Sequence, residues 1–170
     1  MDCSTIIVSY DTFDLTREAV ASALASGEGL DHEVIVVDNE SPDESARRLQ
    51  EAFADDTRVR VFESGGNIGF SAANNLGAAH ARGDVLFFLN PDTVVHSTAI
   101  PDLVDYLREH ARTGALGPRV LNADGSDQAC TSSHPSVRTT LRHYFLPHLD
   151  RMQAHRASGQ AMEVDVVKGC

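Results

Sequence analysis

The sequence predicts an α/β fold with a doubly wound, mostly parallel sheet, and three observations carry that prediction. Strand-like apolar runs alternate with stretches of helical period, in the order β-α-β-α-β-α-β-α over the first two thirds of the 170 residues. Two of the runs, Val34-Ile35-Val36-Val37 and Val85-Leu86-Phe87-Phe88-Leu89, have no polar break, the pattern of strands buried on both faces. Finally, the same two runs deliver aspartates to their ends. Asp38 closes the earlier one directly. Asp92 follows Asn90-Pro91, and Pro91 cannot donate to a sheet ladder, so the strand stops there. The carboxyl edge of an open α/β sheet is where ligands bind.

In chain order, Thr5–Tyr10 reads as the first strand. Asp11-Thr12-Phe13-Asp14 supplies caps, and Leu15, Ala19, Val20, Ala23 and Leu24 form a helical stripe ending at Gly27 and Gly29. Glu33–Asp38 is the second strand. Ser41-Pro42-Asp43-Glu44 carries a helix-start signature, with Ser41 as N-cap, Pro42 at N1 and Glu44 completing a capping box, for a helix running to Phe53. Arg58–Glu63 alternates like a strand near an edge. The glycine-rich segment Ser64–Phe70 leads into an Ala-rich helix over Ser71–Ala81, where Gly77 allows close packing. The strand Val85–Leu89 follows, then a helix over Ile100–His110 with Leu103, Val104 and Leu107 on its apolar side. Ala115–Leu121 is strand-like, Asn122-Ala123-Asp124-Gly125 is a turn, and a helix is expected around Leu141–Leu146. Val164–Lys168 resumes as a strand.

Composition narrows the function classes. An apolar content of 42% and a charged content of 23% are ordinary for a globular chain with one core. The net charge of −11 argues against a nucleic-acid partner, which calls for a basic face. Three cysteines, Cys3, Cys130 and Cys170, form no disulfide framework, which favours a reducing, cytoplasmic compartment. No apolar run approaches a membrane span. Peripheral contact with a membrane stays open.

The chemistry converges on one edge. Asp38, Asp92, the strand end Ser9-Tyr10 and the Gly65–Gly69 loop should share the carboxyl edge of the sheet. There carboxylates can accept from a base or ribose or hold a hard cation, and backbone N–H groups before a helix can meet phosphate. Each feature alone has a plain structural reading; four on one edge are harder to explain that way. Cys130 and His134 lack the second pair that a metal site needs, and His143 and His148 read as surface or packing residues. Tyr144, Phe145 and Leu146 read as a small apolar contact.

Ile6-Ile7-Val8-Ser9-Tyr10, Val36-Val37-Asp38-Asn39-Glu40-Ser41, Asn67-Ile68-Gly69-Phe70-Ser71-Ala72-Ala73-Asn74-Asn75 and Leu89-Asn90-Pro91-Asp92-Thr93 together resemble the family 2 glycosyltransferases, in particular a rhamnosyltransferase-like branch. Gly117-Pro118-Arg119 and Asn122–Ser126 extend the match in order. The resemblance covers most of the chain and is specific for family rather than for sugar. It implies a GT-A fold, a nucleotide-diphosphate sugar donor such as a dTDP or UDP sugar, a glycan or lipid-linked acceptor, and Mg²⁺ or Mn²⁺. It implies that Ser9 and Tyr10 line the base and ribose pocket and that Asp38 accepts from the base ring N–H. Asn67, Asn74 and Asn75 would lie along the nucleotide. Asn90 stands at the first position of the family's D-x-D, and Asp92 would hold the metal between the phosphates.

There are departures. Asn90 replaces an aspartate of many relatives, which leaves Asp92 as the sole direct metal ligand, and Asn74 stands where many carry Arg. The general base that such an enzyme uses on its acceptor is expected beyond Cys170. Residues 1–170 are therefore read as one GT-A-like domain, incomplete at its C-terminus, with 1–121 as the nucleotide-sugar core and 122–170 as the start of the acceptor side. Apolar sheet surface left uncovered would favour a homodimer. Two other readings compete. A dinucleotide oxidoreductase needs glycines after the first strand, where Ser9-Tyr10-Asp11 stands instead. A non-catalytic nucleotide-binding or receiver-like module shares the pattern of strands ending in aspartates.

Overall fold

The computed structural model describes residues 1–128, 130–132, 164, 166 and 167. They fall into two compact units, Met1–Gly114 and Ala115–Cys170. The first unit is the predicted layered sheet. Strands β1 (Cys3–Ser9), β2 (His32–Asp38), β3 (Val59–Glu63) and β4 (Val85–Leu89) run parallel in the order β3-β2-β1-β4. Helices α1 (Phe13–Ser26), α2 (Ser45–Ala52), α3 (Phe70–His80) and α4 (Ala99–Glu109) form the connections and flank the sheet. The register pairs Ser9 with Asp38, Asp38 with Glu63, and Ile7 with Leu89, so all four strand ends reach one edge.

β1 and β2 are buried along their whole length, as their unbroken apolar runs dictate. Ile7, Val34, Val36, Val20, Leu49, Ile100 and Val104 form the larger core on one face; Val8, Ile35, Val37 and Ala73 form the smaller one under α3. Gly77 allows α3 to lie close, since a Cβ there would sit 2.6 Å from Ile6 Cγ2.

β4 differs from its expectation. Its residues alternate: Leu89 is buried, whereas Leu86 and Phe88 are 41% and 52% exposed. The reason is position, because β4 is an edge of this sheet and α3 packs on β1 and β2. Leu15 also leaves the predicted stripe of α1, lying exposed while Thr16 takes the inward position. Helix α2 starts at Ser45, not after Ser41; Glu44 occupies the cap position in a left-handed conformation with φ 58°, and no capping box forms.

In the second unit, β5 (Val120–Leu121) and β6 (Asp127–Gln128) are antiparallel across the expected Asn122–Gly125 turn. β7 (Thr131–Ser132), which the sequence did not mark, pairs with β8 (Val166–Val167) within the expected Val164–Lys168 strand. The helix expected around Leu141–Leu146, and with it Tyr144, Phe145, His134, His143 and His148, lies outside the described residues. Among the described residues no helix is long and apolar enough to cross a membrane.

Candidate functional site at the carboxyl edge of the sheet

β2 ends in the polar run Asp38-Asn39-Glu40-Ser41; the side chains of Asn39, Glu40 and Ser41 bind neighbouring loops, and that of Asp38 binds Ser41. Asp38 is 3% exposed, yet its carboxylate has no partner among the described cations. Oδ1 accepts from the Ser41 amide at 2.9 Å and Oδ2 from the Ser41 hydroxyl at 2.6 Å. The same hydroxyl accepts from the Asp11 amide at 2.9 Å, tying the β2–α2 loop to the β1–α1 loop. Asn39 works toward the other side. Its Oδ1 accepts from the Ile68 amide and its Nδ2 donates to Asn67 Oδ1, both at 3.0 Å, while Glu40 Oε2 accepts from the Asn67 amide at 2.9 Å.

The backbone here is strained. Asp11, Glu40 and Glu44 all hold positive φ, at 55°, 70° and 58°, a conformation that costs a residue with a Cβ roughly 1–2 kcal/mol. Such strain persists where surrounding bonds over-determine it, commonly at ligand sites. Asp38, Glu40, Ser41, Glu44, Ala46, Arg47 and Glu63 line a cleft of about 250 Å³.

The predicted site residues take different places around this edge. Ser9 is fully buried and its hydroxyl pairs with Thr16 at 2.9 Å and Thr12 at 3.3 Å, while Tyr10 beside it is 49% exposed. Asn67 spends its Oδ1 on Asn39 Nδ2 and the Gly69 amide, leaving only its Nδ2 free to donate outward. Asn74 donates to the Phe70 carbonyl on the helix surface, and Asn75 beside it is exposed. Past the last ladder pair of β4, Asn90 is half-buried, its carbonyl accepting from the Thr93 amide, and Asp92 is exposed on the turn.

One expectation is corrected. The Gly65–Gly69 loop is not an open cradle of N–H groups, because the amides of Asn67, Ile68 and Gly69 already donate to Glu40, Asn39 and Asn67 side chains. Gly65 and Gly69, at φ 75° and 82°, let the loop turn back onto those acceptors. Its role in the fold is to fasten the start of α3 to the end of β2.

Sequence reasoning missed Asn39, Glu40 and Ser41. The signal for Ser41 was absorbed by a plausible capping box, and short polar side chains just after a buried strand end are the pattern that could have exposed Asn39 and Ser41. Among the described residues no group of three or more His, Cys, Asp or Glu side chains could hold a metal on its own. Cys130 donates to the Pro118 carbonyl oxygen at 3.7 Å, a local contact. Burial pushes the Cys3 thiol up to about 11, which leaves it unreactive.

A family model for glycosyl transferase family 2 matches residues 4–164. The chain belongs to that family. Relatives include the low-salt glycan biosynthesis hexosyltransferase Agl10 of Haloferax volcanii, 30% identical over 73% of this chain and 38% of the relative. The succinoglycan biosynthesis protein ExoO of Rhizobium meliloti is 32% identical over 72% of this chain and 33% of its own length. Among solved structures, S. aureus TarS 1–349 superposes with a TM-score of 0.59 at 22% identity, covering 78% of this chain and 42% of that one. The same protein in complex with UDP-GlcNAc matches with a TM-score of 0.59 at 20% identity, over 74% of this chain and 42% of that one. The expected GT-A α/β architecture is thereby shown, and this family 2 chain spans well under half the length of these relatives. Membership of the family sets aside the oxidoreductase and receiver-like readings.

Proposed function

We propose that the chain binds a nucleotide-diphosphate sugar, a dTDP or UDP sugar, at the carboxyl edge of its sheet and serves transfer of that sugar to a glycan or lipid-linked acceptor. The observation that carries the reading is Asp38: a buried carboxylate with no partner among the described cations, held by Ser41 and lining a cleft at the strand ends. Such a group accepts a hydrogen bond from the ring N–H of uracil or thymine, which adenine lacks. Tyr10, exposed next to the end of β1, supplies an aromatic face for base or ribose.

By motif resemblance, the polyphosphate side is assigned to Asp92 together with Asn90, Asn74 and Asn75. A single exposed carboxylate fits a cation that keeps several waters and takes its remaining ligands from phosphate, the habit of Mg²⁺ and its near relative Mn²⁺. When bound, such an ion supplies charge stabilisation for the departing diphosphate. In the transfer itself the acceptor hydroxyl oxygen bonds to the anomeric carbon as the bond to the diphosphate oxygen breaks, and the hydroxyl proton passes to a general base. Motif resemblance favours rhamnose as the sugar.

A thermal-shift panel of UDP, dTDP and ADP and the matching sugar nucleotides, with and without Mn²⁺, tests the reading. Stabilisation by uridine or thymidine diphosphates above ADP is expected; equal response to all three would remove base reading by Asp38.

A further inference from the structure

We propose that Ser41 is a positioning residue for base recognition: its hydroxyl sets the orientation of the Asp38 carboxylate and joins it to the β1–α1 loop, so that the base subsite is formed before a nucleotide enters. This inference rests on the reading of Asp38 as the base acceptor.

The geometry is a two-sided clamp. The Ser41 amide and hydroxyl each take one oxygen of Asp38, at 2.9 and 2.6 Å, so the carboxylate cannot turn without breaking both bonds. A carboxylate oxygen has two lone-pair directions, and each Asp38 oxygen therefore keeps one for a ligand. By accepting from the Asp11 amide, the same hydroxyl also fixes the loop that carries Tyr10. Two residues of this arrangement, Asp11 and Glu40, hold left-handed conformations that relax unless something retains them. Asn39 retains the far side through Ile68 and Asn67, and Ser41 links the near side. A serine meets the requirement because its short hydroxyl donates and accepts at once; alanine removes both bonds and threonine keeps them.

The test is titration calorimetry of UDP and dTDP into wild type, Ser41→Ala, Ser41→Thr, Asp38→Ala and the Asp38→Ala/Ser41→Ala double variant, with melting curves for each. Ser41→Ala is expected to weaken UDP about 5- to 20-fold, within the range of side chains coupled through one network, and Ser41→Thr to stay within about twofold. In the Asp38→Ala background, Ser41→Ala should add less than about twofold, because Ser41 acts through that carboxylate. A merely structural serine would give losses that multiply. If Ser41→Ala fails to fold, Ser41→Cys replaces it: a thiol cannot make a bond of 2.6 Å, and weaker UDP binding at an unchanged Tm is expected. Wild-type affinity in the folded Ser41→Ala or Ser41→Cys protein, or multiplying losses in the double variant, would overturn the inference while leaving Asp38 as the base acceptor. Failure of the wild type to bind UDP and dTDP at all would overturn that reading and this inference with it.

Discussion

Strand β2 carries a buried carboxylate at each end, Glu33 and Asp38, and the two are treated in opposite ways. Glu33 receives the Ser4 hydroxyl at 2.8 Å, the Arg82 amide at 2.8 Å and the Arg60 guanidinium at 3.2 Å. Arg60 itself is steadied by the His80 carbonyl and by the Phe62 ring. Burial pushes the Glu33 carboxyl up, but the bonds from Ser4, Arg82 and Arg60 outweigh it and hold it below the usual range. Asp38 has two bonds from one serine and, among the described residues, no cation. A buried charge that is fully paired closes the amino edge of the sheet, whereas one left with spare acceptor directions is available to a ligand. On the proposed reading Glu33 serves the fold and Asp38 serves the ligand, and each end can be tested separately.

The largest effect is expected at the closed end. A Cβ on Gly83 would lie 2.5 Å from the Cys3 carbonyl carbon and the Ser4 nitrogen, backbone against backbone, so neither side can give way cheaply. Gly83→Ala should destabilise by about 3 kcal/mol or more, the upper range for overpacking, as read by chemical denaturation. Glu33→Gln comes next. It removes the charge but keeps the shape, leaving Arg60 partly buried without its partner, and should cost about 2–3 kcal/mol of stability. Nucleotide affinity of the folded fraction should not change. A Glu33→Gln protein that is as stable as wild type would remove the distinction between the two ends.

At the open end the expected loss is in binding. Asp92→Asn should abolish metal-dependent nucleotide affinity while the melting curve stays in place, because Asp92 is exposed beyond the strand. Calorimetry with and without EDTA reads this, and unchanged metal dependence in the variant would sink the assignment.

The smallest effect concerns pH. Burial, helped by Arg58, pushes the His32 imidazole below its ordinary value. It sits 2.8 Å from Thr5 Oγ1 through Nε2, while Nδ1 has no partner among the described residues. The unfolded chain therefore binds the proton first. Stability from His32 is complete above about pH 6.5, the ordinary imidazole value, and falls as pH drops below it. The Glu33 contribution is lost only at lower pH, as its carboxyl protonates through its depressed folded value. His32→Asn should flatten the upper part of the Tm-against-pH curve and Glu33→Gln the lower part.

The sheet was legible in the sequence because β1 and β2 are buried on both faces, and burial on both faces writes an unbroken apolar run. The edge strand β4 writes the same run, Val85–Leu89, although Leu86 and Phe88 face outward. Hydrophobicity alone does not encode which strands flank a strand. The strand-end aspartates were legible from Pro91 and from the sudden polarity at Asp38. What the sequence hid was the network between loops. Ser41 suits a helix cap, and local spacing favours that use, but the buried carboxylate three residues earlier competes for its hydroxyl and wins. The Gly65–Gly69 loop misled for the same reason: its amides look free until Asn39 and Glu40 are brought beside them by pairing of β2 with β3.

The most direct test of the account is to titrate UDP into wild type, Asp38→Ala and Glu33→Gln side by side, with melting curves recorded on the same samples. The account predicts that Asp38→Ala loses about 10- to 100-fold in affinity, the scale of a charge-assisted hydrogen bond. Glu33→Gln should keep its affinity and lose stability. Equal UDP affinity in wild type and Asp38→Ala, or a binding loss in folded Glu33→Gln as large as that in Asp38→Ala, would contradict it.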